Sequence, residues 1–145
     1  MECESFHRGQ NMSPWMLIAA ILAAGFAATL TDWLFMGVLF HDRYMKHPEI
    51  WREGIIGGKD RTALIYSCAL DFVAAAAIIG LCVYTDIHTL WPAVGVALFV
   101  WIAGPLVMMI TNGFFMKIDW ALVASHSIGY LVRFLLAAVA VAIFL

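Results

Sequence analysis

Four long stretches of apolar residues, separated by short polar segments, dominate the chain. They cover approximately residues 14–40, 62–84, 91–116 and 119–144. A helix needs about 20 mostly apolar residues to cross the hydrocarbon core of a bilayer, and each stretch has that length. The runs are continuous rather than alternating, which favours helices over the strands of a membrane barrel. The pattern predicts an all-α integral membrane protein, an antiparallel four-transmembrane-helix bundle that forms one membrane domain over residues 1–145.

Local signals indicate where these helices begin and bend. Ser13 is placed to cap the first helix, with Pro14 at its first position, and Asp119 is placed to cap the fourth. Pro105 should kink the third helix, because proline removes one hydrogen bond of the helix ladder. Residues 112–113, an Asn-Gly pair, offer an alternative early end for the third helix.

The composition agrees with a lipid environment. Hydrophobic residues make up 64% of the chain and charged residues 12%, with a mean hydropathy of +0.92, whereas soluble domains carry about 25% charged residues. A net charge of −2 gives no reason to expect a nucleic-acid partner. The three cysteines show no metal-ligand or redox-motif spacing, so no disulfide framework is expected.

The basic residues predict the orientation. Residues 41–61, the loop after the first span, and the turn before the fourth span carry six of them: Arg43, Lys46, Arg52, Lys59, Arg61 and Lys117. The opposite side carries only Arg8. Because lysine and arginine in short loops stay cytoplasmic, residues 41–61 form the cytoplasmic loop and both termini are non-cytoplasmic. Tryptophans near the span ends are typical of an aromatic belt: Trp15, Trp51, Trp91 and Trp120.

Small residues recur at spacings that suit helix packing in lipid. Ala20, Ala24 and Ala28 form a row on the first span, residues 74–77 with Gly80 form a second group, and the fourth span has a glycine at position 129. Such positions let helix backbones approach closely. The lipid bilayer is the expected partner, and a homo-oligomer is a further expectation.

Ionisable residues inside the spans are the candidate functional site. At about 1.5 Å per residue, Asp32, Asp71 and His126 lie about 10–13 Å from the cytoplasmic ends of three helices, and Arg133 lies about 21 Å deep. Arginine can extend its side chain toward the others. Tyr130 shares a helix face with the histidine and arginine. The full candidate set for binding or proton relay is Asp32, Asp71, His126, Arg133, Tyr130 and Asn112.

Charge counting leaves two interpretations open. Two carboxylates and one guanidinium leave one excess negative charge in a poor solvent, so the group should retain one proton and titrate as a unit. Such a site suits proton-coupled transport of a small solute or a proton relay. Alternatively, the chain is an accessory or structural membrane subunit, and the cluster only fixes how the helices pack.

Other chemistry finds little support in the sequence. His41, His47 and Glu49 offer nitrogen and oxygen atoms to a metal, but their spacing matches no known site and basic residues surround them. Bis-histidine haem would need a second intramembrane histidine. No nucleophile elbow, catalytic triad or zinc-protease helix is present. We therefore expect no cofactor, no metal and no enzymatic activity.

Two regions carry a resemblance to a known family. One comprises residues 31–40 (TDWLFMGVLF), 44–45 and 51; the other comprises residues 101–102, 112–115 (NGFF) and 126–130 (HSIGY). The order of these segments resembles an uncharacterised family of small bacterial four-span membrane proteins, domain of unknown function seventeen-sixty-one. The resemblance implies the four-helix fold and a location in the bacterial inner membrane. It implies no activity, so no site residue is carried over.

Overall fold

In the computed structural model, which describes residues 13–50 and 61–145, four long helical segments pack together and no strand occurs within those residues. The helices are α1 (Pro14–Leu34), α2 (His41–Lys46), α3 (Arg61–Tyr84), α4 (Leu90–Trp101), α5 (Val107–Phe115) and α6 (Trp120–Phe144). Phe35–Leu39 extends α1 as a π-helical turn, and Ile102–Leu106 joins α4 to α5 in the same way. A short 3₁₀ turn, Pro48–Ile50, follows α2.

Within residues 13–50 and 61–145, four segments are long and apolar enough to cross a membrane: Pro14–Leu39, Arg61–Tyr84, Leu90–Phe115 and Trp120–Phe144. Each bound lies within one residue of its predicted position, which confirms the four-helix fold. The predictions for Arg8, Trp51, Arg52 and Lys59 concern residues outside the described ranges.

The helix ends show which local signals operate. At Ser13 the backbone carbonyl accepts hydrogen bonds from the amides of Met16 and Leu17, but the side chain does not cap the helix. The Asp119 side chain does cap α6, since its Oδ1 accepts a hydrogen bond from the Ala121 amide at 2.6 Å. The capping role predicted for Asp119 is therefore confirmed.

Two π-helical turns interrupt the α-helical pattern of backbone hydrogen bonds. At the first, the Phe40 amide donates to the Phe35 carbonyl at 2.9 Å, a bond that spans five residues. The second contains Pro105, whose missing N–H the wider turn tolerates. The third span thus changes helix type where a kink was predicted and continues to Phe115, past the alternative end at residues 112–113.

The fourth span is the centre of the bundle. It contacts α1, α3, α4 and α5, and α3 in turn contacts α1 and α4. Trp101 links the third span to α6, because its indole Nε1 donates a hydrogen bond to the Ser127 carbonyl at 2.8 Å. The third span is peripheral by comparison: 11% of its most apolar window is buried, against 39% for the fourth.

The two halves of the bundle differ in how they are filled. The half away from α2, here the far half, contains the hydrophobic core: Ala20, Ala24, Ala75, Ile78, Ile79, Cys82, Ala93, Ala97, Phe134, Ala137, Ala138, Ala140 and Val141. The predicted alanine row on α1 is buried along its length. Gly80 does not pack within the chain, because a side chain there would meet nothing within 4 Å. The half at which α2 lies, here the α2 half, contains the polar residues described next.

Candidate functional site

Arg133 is the central residue of the polar cluster, and its own helix positions it. Its Nε donates to the Gly129 carbonyl one turn earlier at 3.3 Å. Its guanidinium carbon lies 4.0 Å from the centroid of the Tyr130 ring, a cation–π arrangement. The side chain is 9% exposed. These contacts hold the guanidinium against α6 and direct it toward α1 and α3.

Asp71 of α3 is the deeper of the two carboxylates. Its Oδ1 accepts a hydrogen bond from Arg133 Nη1 at 2.7 Å. Its Oδ2 accepts one from the Thr29 hydroxyl at 3.3 Å, and that hydroxyl also lies 3.1 Å from the Gly25 carbonyl. The Asp71 side chain is 3% exposed. Both of its oxygens are therefore occupied by donors from neighbouring helices.

Asp32 of α1 is held on one side only. Its Oδ2 accepts a hydrogen bond from the same Arg133 nitrogen, Nη1, at 3.1 Å. Within the described ranges no donor reaches Oδ1, and the side chain is 20% exposed. The two hydrogens of one guanidinium nitrogen thus serve two carboxylates, and Asp32 keeps one oxygen available.

We call Asp32, Asp71 and Arg133 the triad. It joins three helices, and its formal charges sum to one excess negative charge. The candidate residues predicted from the sequence are thus divided: the structure brings the two aspartates and the arginine together and stacks Tyr130 against the guanidinium. Whether these residues act in binding or proton transfer stays a prediction.

His126 and Asn112 make no direct polar contact with the triad, although His126 lies within electrostatic range of Arg133. Neither side chain forms a hydrogen bond or ion pair with the triad in the described part of the chain. The His126 ring packs edge-on against Tyr44 of α2, with 5.6 Å between the ring centroids. It lines a small cavity of about 210 Å³ with Tyr44, Met109, Ile118, Leu122 and Val123. The spacing along the helix predicts His126 at the same depth as the aspartates. In the structure its ring contacts the ring of Tyr44.

Tyr44 and Thr29 are the residues that the candidate set missed. Tyr44 is 3% exposed and is the buried residue of α2, and burial raises the pKa of its hydroxyl. Thr29 lies one turn before Asp32 and donates to Asp71. Helical spacing indicates the position of Thr29, whereas the placement of Tyr44 depends on how α2 folds back onto α6.

A larger cavity reaches the triad from the α2 end of the bundle. Its volume is about 600 Å³, and we call it the Asp32 cavity. Its lining comes from the end of the first span, α2 and the first turns of α3: Thr29, Asp32, Trp33, Met36, Gly37, His41, Tyr44, Met45, Ala63, Leu64, Ser67, Cys68 and Asp71. Both carboxylates line the cavity, while Arg133 lies behind them and is not part of the lining.

A second polar group ties α2 to the turn before α6. His47 Nδ1 lies 2.9 Å from Glu49 Oε1, and His47 Nε2 lies 3.4 Å from Asp119 Oδ2. Arg43 Nη1 lies 3.6 Å from the same Asp119 oxygen. The hydrogen bond with Glu49 raises the pKa of His47, and the hydrogen bond from the Ala121 amide lowers the pKa of Asp119. Two carboxylates on one ring favour the doubly protonated imidazolium, which donates from both nitrogens.

Metal binding at this end finds no geometric support. Across residues 13–50 and 61–145, no three histidine, cysteine, aspartate or glutamate side chains are grouped so that they could hold a metal ion. His41 lines the Asp32 cavity, away from the pair that His47 forms with Glu49.

Four apolar helical segments long enough to cross a membrane, three of them joined by ion pairs of Arg133, are typical of a class: the multi-pass α-helical membrane proteins. Within that class, the family model described as "Protein of unknown function (DUF1761)" matches residues 19–142, and the chain belongs to this family. The resemblance noted from the segments around Asp32 and His126 is thereby confirmed. No curated protein and no solved structure matches the chain.

Proposed function

We propose that this protein carries a small solute across a membrane in exchange for, or together with, a proton, and that the triad is its proton-binding site. The observation that carries the proposal is the one-sided pairing of Asp32. This carboxylate lies on the wall of the Asp32 cavity; among residues 13–50 and 61–145 its one hydrogen-bond donor is the Arg133 nitrogen that it shares with Asp71, and no donor from these residues reaches its second oxygen. Ionisable residues inside membranes mark ion and substrate pathways.

The charge of the triad supports this role. One guanidinium cannot neutralise two carboxylates, and an uncompensated charge in a low-dielectric environment is costly. The site is therefore stabilised by one further positive charge, either a proton or a cation that arrives through the cavity. Asp32 is the group that accepts it, because both oxygens of Asp71 already accept hydrogen bonds.

The topology follows from the charge distribution. The positive-inside rule places α2 and the turn before α6 in the cytoplasm and both termini outside, in a bacterial inner membrane. The Asp32 cavity then opens toward the cytoplasm. Four spans give little room for a pathway of alternating access within one chain, so we propose a homo-oligomer. The largely exposed third span supports this assembly, since it offers the bundle's least covered helix.

The test is proton flux into liposomes that contain the purified protein and a trapped pH-sensitive dye, driven by a potassium gradient with valinomycin. We expect flux above that of protein-free liposomes, and we expect Asp32→Asn to lower it to the protein-free level. Asp42→Asn is the matched control, because Asp42 is an exposed carboxylate of α2 outside the cavity lining. Wild-type flux at the protein-free level, or full flux in folded Asp32→Asn, would contradict the proposal.

A structural role is the second candidate, and one observation favours it. Arg133 ties α6 to both α1 and α3 through buried ion pairs, which is also how a non-catalytic accessory subunit would fix its helix register. In that case Asp32→Asn weakens the fold without a specific effect on flux. The flux ratio of Asp32→Asn to Asp42→Asn, at equal amounts of folded protein, separates the two candidates.

A further inference from the structure

The Asp32 cavity is too large and too apolar for a proton or a metal ion alone. Its volume of about 600 Å³ falls within the range of about 300–1,000 Å³ that is typical of small-molecule sites. A single water occupies about 30 Å³. Carbon-rich side chains form most of the wall, including Trp33, Met36, Met45 and Leu64. The occupant therefore needs an apolar body of several carbon atoms.

The charged residues of the lining determine whether the cavity favours cations or anions. Asp32 and Asp71 line the cavity, whereas the guanidinium that pairs with them does not. No lysine or arginine of the described segments lines it either. Because field lines concentrate in a cleft walled by one sign of charge, the cavity attracts cations and repels anions. One excess charge on the triad matches one positive charge on the ligand.

The polar and aromatic groups fit an ammonium head group. Asp32 offers an oxygen that no donor from the described part of the chain reaches, and Ser67 adds a hydroxyl to the lining. Trp33 and Tyr44 add aromatic rings to the same lining, and aromatic rings attract ammonium groups. From Ala63 to Asp71 the lining extends over eight residues of α3, about 12 Å at 1.5 Å per residue. That length allows the head group to reach Asp32 while the apolar body contacts Met36 and Leu64.

We propose that the Asp32 cavity binds a monovalent organic cation with an apolar body, with its ammonium group on the free oxygen of Asp32. The inference deepens the proposed function by naming the class of solute, and it rests on that function only for the coupling to protons. A cation and a proton then compete for the same carboxylate. Replacement of a bound proton by the organic cation leaves the total charge of the triad and its bound ion unchanged.

Binding is tested by isothermal titration of the full chain in lipid nanodiscs, with empty nanodiscs as the blank. The probes are benzylammonium and its neutral analogue benzyl alcohol. We expect benzylammonium to bind and benzyl alcohol to bind at least about tenfold more weakly, the size expected for a charged hydrogen bond. Asp32→Asn should weaken benzylammonium binding by a similar factor, and Asp42→Asn should leave it unchanged.

A second measurement needs no substitution at the site. Cys68 lines the cavity, whereas Cys82 is fully buried in the far half. Benzylammonium should slow alkylation of Cys68 by a maleimide, followed by peptide mass spectrometry, and benzyl alcohol at the same concentration should not. Equal protection by the two probes, or protection by neither, overturns the inference even if Asp32→Asn fails to fold.

The outcomes keep the two proposals apart. Binding of benzylammonium that depends on Asp32 supports the cation site even when no variant changes proton flux, in which case the transport function fails. Flux that depends on Asp32, together with equal binding of the charged and neutral probes, overturns the cation site and leaves the proton function standing. Acidification from pH 8 to pH 5 should weaken benzylammonium binding, because protons occupy Asp32. His41 also lines the cavity, so the measurement is made in His41→Asn as well. Stronger binding at acidic pH, or a pH dependence that is lost in His41→Asn, contradicts the competition at Asp32.

Discussion

The far half and the α2 half of this bundle are held together by different forces. In the far half, alanines on α1, α4 and α6 let the backbones meet closely, and the core has no ion pair among the described residues. In the α2 half, charged groups hold the helices together around two cavities. Helices in lipid gain little from burial of apolar surface, so close contact or polar bonds must hold them. Close backbone packing therefore stabilises the far half, whereas the ion pairs of the α2 half leave two cavities between the helices.

Removal of the Arg133 guanidinium should have the largest effect on the stability of the α2 half. Arg133→Gln leaves two carboxylates facing each other at a buried position, and we expect a loss of about 3–5 kcal/mol in the free energy of unfolding. Reversible unfolding in mixed micelles measures it. Lys117→Gln removes an exposed positive charge and is the control.

A double-mutant cycle compares Arg133→Gln, Asp71→Asn and the variant that carries both changes. If the double variant regains most of the stability lost by either single change, the two residues are coupled as the structure indicates. A cost below about 1 kcal/mol for Arg133→Gln, the range of surface ion pairs, would show that the triad does not hold the α2 half together.

A smaller effect is expected from overfilling the far half. Ala137 is fully buried on α6, so Ala137→Leu should cost about 1–3 kcal/mol through displacement of neighbouring helices. Val139→Leu, on an exposed part of the same helix, should cost little. The same unfolding assay measures both variants. Benzylammonium binding by folded Ala137→Leu should stay unchanged, and a parallel loss of binding would show that the two halves are not independent.

The smallest effect concerns the contact between α2 and the turn before α6. Hydrogen bonding to Glu49 raises the pKa of His47 above its ordinary value of 6.5. A raised pKa means that the contact contributes fully below pH 6.5 and is lost as the pH rises through the higher folded-state value. The pKa values of Glu49 and Asp119 are lowered, so both carboxylates stay ionised in this window, and Arg43 stays charged beside Asp119.

Hydrogen exchange of the α2 amides between pH 6 and pH 8 tests this contact. After correction for intrinsic rates, exchange should accelerate in the wild type, whereas His47→Asn should exchange fast at both pH values. His41→Asn is the control, because His41 begins α2, whereas His47 follows its last residue, and His41 forms no ion pair with a carboxylate in the described segments. A pH dependence that survives in His47→Asn would assign it to another group.

The helices could be predicted because their signal is long and continuous. Each span is 24–26 residues long and mostly apolar, so its bounds follow from hydropathy alone, and Asp119 caps its helix as its position predicts. Depth and helix face also brought Asp32, Asp71 and Arg133 into one group. These features depend on distances along a regular helix, which the sequence determines directly.

The features that escaped prediction depend on contacts between segments. The ring of Tyr44 packs against His126 because α2 folds back onto α6, and the spacing along one helix does not reveal that contact. The π-helical turn after Asp32 leaves no compositional signal like that of Pro105 in the third span. The Asp32 cavity arises from three segments at once, and a single sequence carries no information on the volume between them.

The sharing of one Arg133 nitrogen between two acids has a mechanical consequence. The bond to Asp71 is the shorter of the two, 2.7 Å against 3.1 Å, and Thr29 supports it from the other side. A positive charge that binds Asp32 therefore competes with the bond from Arg133 to Asp32 on α1, and not with the bond from Arg133 to Asp71 on α3. In the proposed exchange, α3 and α6 therefore stay joined through Arg133 and Asp71, and Thr29 keeps α1 bonded to Asp71 while the bond between Arg133 and Asp32 breaks and re-forms.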